Sequence, residues 1–404
     1  MIHWGYPPVI GGVETHLSQL CPWFVREGHE VSLFTGSHKD EPRDEYTERG
    51  VHIVRRPMMD LNWLYERGFT NLSDEIARQI AAFLDVSRPD VIHAHNLHYF
   101  SELHAKAFER EAKLRNIPLV LTAHNMWDDA QNLEMTRDIA WDHIIAISHY
   151  INREILGCGI EPSRISMIHH GIDGTSFHQA QKEMALTKYP KLRGGKVVFH
   201  PARMGLAKGS SVILKAFRLV KERVPEAVLV LAGTKNVIDW GRSQEGEVAY
   251  ILQLADIFGL KNDIVIDFFS HASIPPMYAA ADVCVYPSIH AEPFGLVMLE
   301  SMASGKPIVV TQSGGMPEIV AEGENGYVVE PRNHIALAER ISQLLRNPEK
   351  ARAIGARGLE LFNERYTLAH MAEKMVALYQ RVIADRANAQ AKSLTPASYG
   401  ISRT

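Results

Sequence analysis

Cysteine is scarce in this chain. Its 404 residues include three, Cys21, Cys158 and Cys284, odd in number and widely spaced. That excludes a disulfide framework, and Cys284, inside the apolar run Val283-Cys-Val-Tyr286, reads as an inert core thiol. No run approaches the roughly eighteen apolar residues of a membrane span. No basic-then-apolar leader opens the sequence, so the cytoplasm is the expected compartment. An excess of one charge is missing too. Lys and Arg total 43 against 47 Asp and Glu, a net −4, which gives no electrostatic reason to expect nucleic acid as a partner.

What remains is ordinary globular composition, 46% hydrophobic and 22% charged, in a chain too long for one core and suited to two domains. The first half alternates apolar strand patterns (Val31-Phe34, Val51-Val54, Val91-Ala94, Leu119-Thr122, Ile144-Ile147) with helical ones, such as Val13 to Arg26 and Asn71 to Asp85. Met1-Ile-His-Trp4 leaves room only for a short first strand. Ser148 is placed to cap the helix that follows it. After Ile168-His-His-Gly-Ile-Asp173 the pattern pauses in a polar stretch, and the boundary is set there, at residues 1–175 and 176–367. The second half repeats the alternation through Val197-Phe199, Val228-Ala232, Ile264-Ile266, Val283-Tyr286 and Ile308-Val310. A helix over 368–386 follows, and the polar, small-residue segment 387–404 reads as a disordered tail. The fold class expected is α/β, two doubly wound parallel-sheet domains.

Chemistry concentrates in Glu292-Pro-Phe-Gly-Leu-Val-Met-Leu-Glu300, followed by Ser304-Gly-Lys-Pro307 and Ser313-Gly-Gly-Met-Pro-Glu318. This stretch reads as strand, loop, helix, loop, strand, and ligands of such sheets bind beyond the carboxyl ends of the strands. Glu292 falls at such an end, and Glu300 about two helical turns later. A carboxylate accepts both hydroxyls of a vicinal diol, so the pair suits a ligand with two polyol parts. The stretch resembles the nucleotide-sugar signature of the retaining glycosyltransferases of family 4, whose architecture is GT-B, two Rossmann-like domains facing a cleft. The likeness runs from Gly11 to about Tyr366.

The resemblance gives roles to further residues. Gly11-Gly12-Val13-Glu14 follows the first strand and opens a helix, where glycine lets the backbone approach an anion. Arg203 and Lys208 lie in the loop after Val197-Phe199, and a planar guanidinium with a mobile ammonium suits a diphosphate. Ala202 stands where relatives usually carry glycine. His124, at the carboxyl end of Leu119-Thr122, matches the family's active-site histidine. By resemblance, the amides of Phe294, Gly295 and Leu296 support donor binding beside Glu292, Glu300 holds the ribose, and no cofactor or metal is required.

His93, His95 and His98 invite a metal reading. It is set aside because no cysteine or acidic partner has ligand spacing and because residues two apart are read as facing opposite sides of a strand. With Asn96, Tyr99, Asn125, Trp127 and Asp128 they are expected to shape the acceptor side. Lys106, Arg110 and Lys113 have helical spacing and suggest weak peripheral membrane contact, but Glu109 and Glu111 interleave, favouring a solvated face.

The function expected is therefore metal-independent transfer of a sugar, with retention, from a nucleotide-sugar donor to an acceptor hydroxyl. UDP is favoured in the donor and GDP-mannose is the other candidate. A nucleotide-sugar epimerase or a non-catalytic carbohydrate-binding relative are the rivals. The acceptor and the oligomeric state are left open by the sequence.

Overall fold

Parallel strands form wherever the apolar runs lie between helices, and they assemble into two sheets. The structure, a computed structural model, describes residues 1–68, 71–233, 243–270 and 272–394. The first sheet comprises β1 (Ser32–Gly36), β2 (Glu45–Glu48), β3 (Val51–Arg56), β4 (Ile92–His95), β5 (Leu119–Ala123), β6 (His143–Ala146) and β7 (Ile165–Met167). Its two parts, β2-β3-β1 and β4-β5-β6-β7, are joined by Ile2, which bridges in parallel to Phe34 and Ala94. The Ile2 N–H donates to His93 O, and its carbonyl accepts from the His95 N–H, both at 2.9 Å. The short first strand is thus central. The antiparallel β2 is an exposed edge, and its charged composition hides it from a reading based on apolar runs.

The second sheet contains β8 (Lys196–His200), β9 (Ala227–Gly233), β10 (Ile264–Phe268), β11 (Val283–Tyr286), β12 (Ile308–Thr311) and β13 (Gly326–Val329). The order is β10-β9-β8-β11-β12-β13, parallel throughout. Strand order therefore reverses between β8 and β11, where ligands of such sheets bind. In the first sheet the corresponding reversal lies between the Ile2 segment and β4.

The chain leaves the first sheet at Ile172 and returns beside it. The Ile172 N–H donates to Tyr366 O at 3.1 Å, and its carbonyl accepts from the Leu368 N–H at 2.9 Å. A Cβ on Gly171 would lie 2.1 Å from Thr367 O, so the two crossings touch backbone to backbone. The helix Leu368–Leu394 then packs on the helix Gly12–Arg26, burying Met371, Met375 and Leu378 against Leu17, Leu20 and Phe24. The disordered tail expected from residue 387 is corrected here. The helix continues to Leu394, with Gln390 accepting from Asn116 at 2.7 Å, because the small residues that suggested disorder are mostly alanine, the strongest helix former. Residues 395–404 lie outside the described residues.

Among the described residues no helix is long and apolar enough to cross a membrane. Lys106 pairs with Glu102 at 2.5 Å, Lys113 with Glu109 and Arg110 with Glu111, each at 2.7 Å. Local acids thus compensate all three cations, as expected of a solvated face.

A second connection between the halves is made by side chains. Ser148 caps the helix His149–Gly157, its Oγ accepting from the Ile151 N–H at 3.1 Å, and the same hydroxyl donates to Pro293 O at 2.7 Å. Glu318 accepts from the His149 N–H at 2.6 Å and the Tyr150 N–H at 2.7 Å. A carboxylate of one half thus satisfies the free amides, and complements the dipole, of a helix in the other. Replacing a capping side chain costs about 0.5–2 kcal/mol. Glu318→Ala should therefore shift the halves toward open arrangements and raise the radius of gyration in small-angle scattering. An unchanged profile would show that this clasp does not hold them together.

Candidate active site

Two loops meet at the reversal point of the second sheet. The first leaves β8 and carries Arg203 and Lys208 into the helix Ser210–Arg223. The second leaves β11 and carries Glu292 into the helix Leu296–Ala303, on which Glu300 lies. They are stitched together. Ser288 Oγ donates to Ala207 O at 3.1 Å, and the Ile289 N–H donates to the same carbonyl at 3.0 Å. Gly209 adopts φ +79° and passes so close to Pro287 that a Cβ would lie 1.9 Å from its carbonyl oxygen. Only glycine fits there on both counts.

These loops bring Lys208 and Glu292 into contact, with Nζ 2.7 Å from Oε2. The Tyr286 hydroxyl donates to the same oxygen in a short bond, and no hydrogen bond among the described residues engages Oε1. Burial would raise the Glu292 pKa, but Lys208, Tyr286 and Arg203 together hold it below the usual glutamate value. Burial would lower that of Lys208, and Tyr286 and Glu292 raise it instead. Both groups are therefore charged at neutral pH. The carboxylate is also fixed from behind. The Gly315 N–H donates to Glu292 O at 2.8 Å, and Gly314, at φ +58°, leaves no room for a Cβ, which would lie 2.1 Å from that oxygen. The two glycines before Met316 thus serve to seat Glu292.

Arg203 is exposed, forms no ion pair among the described residues, and acts on Glu292 only through its field. The amides of Phe294, Gly295 and Leu296 donate to no backbone carbonyl among the described residues, and they lie at the N-terminal end of their helix. Such amides form an anion site. The Phe294 ring itself is buried, edge-on to His170 at 5.2 Å between centroids. Glu300 accepts from the Tyr278 hydroxyl at 2.6 Å. Burial raises its pKa, and the Tyr278 bond only partly opposes this.

In the first half, Gly11 lies against Glu14, whose Oε2 would be 2.2 Å from a Cβ there and would have to shift to admit one. Gly12 faces open space, with nothing within 4 Å of a Cβ position, so its backbone is approachable. The His124 N–H donates to Asn96 Oδ1 at 2.7 Å, and His98 Nε2 donates to Asn125 O at 2.9 Å. Asn96, His98, Tyr99 and Asn125 thus brace the His124 loop, whereas Trp127 and Asp128 are exposed. The His124 ring does not point freely at the cleft. Its Nε2 lies 2.9 Å from His95 Nδ1 and its Nδ1 lies 3.1 Å from His170 Nε2.

The expectation that residues two apart on a strand face opposite ways is wrong. The His93 and His95 rings lie on one face, 4.1 Å apart between centroids, because strand side chains alternate with a period of two. His95 consequently meets His124 and His16, and ligand-type atoms of these three lie within 4.8 Å of one another. Tyr286, Tyr278, Ser148 and the buried His16 and His170 are members of the site that sequence reasoning missed. Only their places beside β11, in the Gly-Gly helix and before Gly171 hinted at them.

A two-sheet α/β architecture with cations and paired carboxylates at one reversal point, opposite a Gly-Gly turn, defines a class of enzymes. Comparison with known proteins agrees. The family model described as Glycosyltransferase Family 4 matches residues 10–175, and that described as Glycosyl transferases group 1 matches residues 182–360. The chain belongs to the group 1 glycosyltransferases of GT-B architecture. It is 26% identical to an uncharacterized glycosyltransferase of Methanocaldococcus jannaschii, over 94% of this chain and 97% of that protein. Its fold matches sucrose-phosphate synthase from Thermosynechococcus elongatus (TM-score 0.79, 22% identity, 95% and 96% of the two chains). It also matches Anabaena HepE in complex with UDP and glucose (TM-score 0.74, 18% identity, 94% and 98%).

The Glu300 environment sets a pH dependence. A carboxyl whose pKa burial raises binds a diol as an ionised acceptor only above that raised value. If Glu300 holds the ribose, affinity for a free nucleoside diphosphate should therefore fall as the pH is lowered through that raised value in the wild type. Glu300→Gln should be weaker at pH 7, by roughly 1.5–3 kcal/mol for a charged hydrogen bond, and flatter in pH. Parallel profiles in calorimetry would remove Glu300 from nucleotide binding.

Proposed function

We propose that the protein transfers a glycosyl group from a nucleotide-sugar donor to an acceptor hydroxyl, with retention and without a metal on the diphosphate. The observation that carries this reading is the ion pair of Lys208 with Glu292, at 2.7 Å, across the loops of the strand-order reversal. A cation for the leaving phosphate and a carboxylate for the sugar hydroxyls are thereby preset at adjacent points. A uridine diphosphate donor is favoured, since the similarly folded HepE is complexed with UDP and glucose. GDP-mannose remains the second candidate.

The donor diphosphate would lie between Gly12, approachable from its backbone, and Arg203 with Lys208. Negative charge grows on the leaving oxygen as the glycosidic bond breaks, so fixed cations stabilise the transition state more than the ground state. Glu292 Oε1 would take donor sugar hydroxyls beside the amides of Phe294 to Leu296, and Glu300 the ribose. On this reading the departing phosphate oxygen accepts the acceptor's proton on the same face. His124 acts through its backbone at the end of β5, with its ring held by His95 and His170.

Arg203→Ala is the cleaner test of phosphate binding, because Arg203 is exposed and its loss leaves no buried partner. Turnover of a UDP-sugar should fall roughly a hundred- to a thousandfold with the melting temperature unchanged. Unaltered turnover would overturn the assignment. With wild-type enzyme, EDTA should leave the rate within a few-fold, and NMR of the product should show the donor's anomeric configuration. An absolute magnesium or manganese requirement, an inverted product, or release only of an epimerised donor would each refute a part of the proposal.

A further inference from the structure

Behind the Gly11-Gly12 turn lies a set of imidazoles from separate elements. His16 is in the helix Gly12–Arg26, His95 ends β4, and His124 follows β5. All three are at most 5% exposed. Both nitrogens of His16 and Nε2 of His95 are buried without a hydrogen-bond partner. A buried orphan of this kind costs about 1–3 kcal/mol, and native structures rarely tolerate several together unless something bound satisfies them. The His16 ring centroid lies 5.6 Å from that of His95 and 5.4 Å from that of His124.

We propose that His16, His95 and His124 form a binding site for a zinc-class divalent transition ion. Three neutral imidazoles favour zinc, cobalt, nickel or copper over the oxygen-seeking magnesium, calcium and manganese. Burial, reinforced by neighbouring histidines, lowers the pKa of each ring, that of His16 to about 3, so all three are neutral at neutral pH, and the nitrogens of His16 and Nε2 of His95 have no other partner. The ligand-type atoms fall within 4.8 Å of one another. Two zinc–nitrogen bonds of 2.0–2.1 Å at a tetrahedral angle need a separation of about 3.3 Å, so binding would draw the rings together and exchange a His124 ring–ring hydrogen bond for a metal bond. A supporting carboxylate is present. Glu14 Oε1 lies 3.2 Å from His3 Nε2, and His3 Nδ1 donates to the His95 carbonyl at 3.0 Å. These contacts hold the backbone at His95, while His170 Nε2, 3.1 Å from His124 Nδ1, is the outer partner of a ligand ring of the kind that fixes its orientation.

The ion would tie the Gly-Gly helix to the ends of β4 and β5. It would sit among the buried rings, and its test reads binding and not transfer. Failure of either proposal leaves the other standing. Purified protein is stripped with chelator, loaded with cobalt(II), desalted, and assayed by elemental analysis and visible absorption. One equivalent with an intense tetrahedral spectrum, bleached by zinc, is expected, together with a zinc-dependent rise in melting temperature. His16→Phe keeps a buried ring and removes the orphan nitrogens, so it should fold, lose the cobalt spectrum and show no rise with zinc. Less than a tenth of an equivalent in the wild type would overturn the proposal and leave water as what fills the cluster. Undiminished cobalt binding by His16→Phe would overturn it by placing the ion elsewhere.

Discussion

The ion pair between Lys208 and Glu292 is the constraint around which the second half is built. Neither side chain is more than 29% exposed, so each charge would be costly alone. The pair is tolerable because Tyr286 supplies a third bond and the field of Arg203 favours the carboxylate. Its geometry requires the β8 and β11 loops to run side by side. That in turn demands Gly209 against Pro287 and Gly314 against Glu292. Much of the glycine in these motifs is thus explained by close backbone packing under one carboxylate, before any ligand is considered.

Strand order explains why charges from distant parts of the sequence converge. β8 and β11 are neighbours in space although β9 and β10 separate them in the chain. Their carboxyl ends open the crevice of a doubly wound sheet. The first sheet repeats the arrangement with the Ile2 segment and β4, which set the Gly-Gly turn beside His95 and Asn96. Two sheets of the same construction thus offer an open glycine turn and a histidine on one side, and cations with carboxylates on the other.

The sequence made the second site legible where function coincides with local pattern. Glu292, Arg203 and Lys208 each follow an apolar strand run, so their position beyond strand ends could be read directly, and Glu300 falls in the helical run after Glu292. The buried strands β8, β9, β11 and β12 were equally plain. Charged β2 and three-residue β7 were not, because neither presents an apolar run long enough to stand out, whereas β13 was overlooked although its Tyr327-Val-Val329 is as long as Ile264-Val-Ile266. The histidine cluster was hidden for another reason. His16, His95, His124 and His170 come from four segments, and only tertiary structure shows that they share a space. His93 and His95 were misplaced by an error of period, and the helix after Arg386 by taking polar, small residues for disorder.

The clasp and the crossings have different physical characters, and this bears on how the halves move. At Ile172 and Thr367 the contact is backbone to backbone with no room for a side chain, so it can bend but not slide. At Ser148 and Glu318 it consists of a few hydrogen bonds to helix amides, which water can replace when the halves part. A fixed pivot with a solvent-exchangeable latch is the arrangement of a hinge. The latch also adjoins the site, because Ser148 holds Pro293, the residue after Glu292, and the Phe294 ring packs on His170, which contacts His124. The contacts that join the halves are therefore the same ones that position the carboxylate and the histidine. A ligand touching both sides draws on its differential affinity for a closed state.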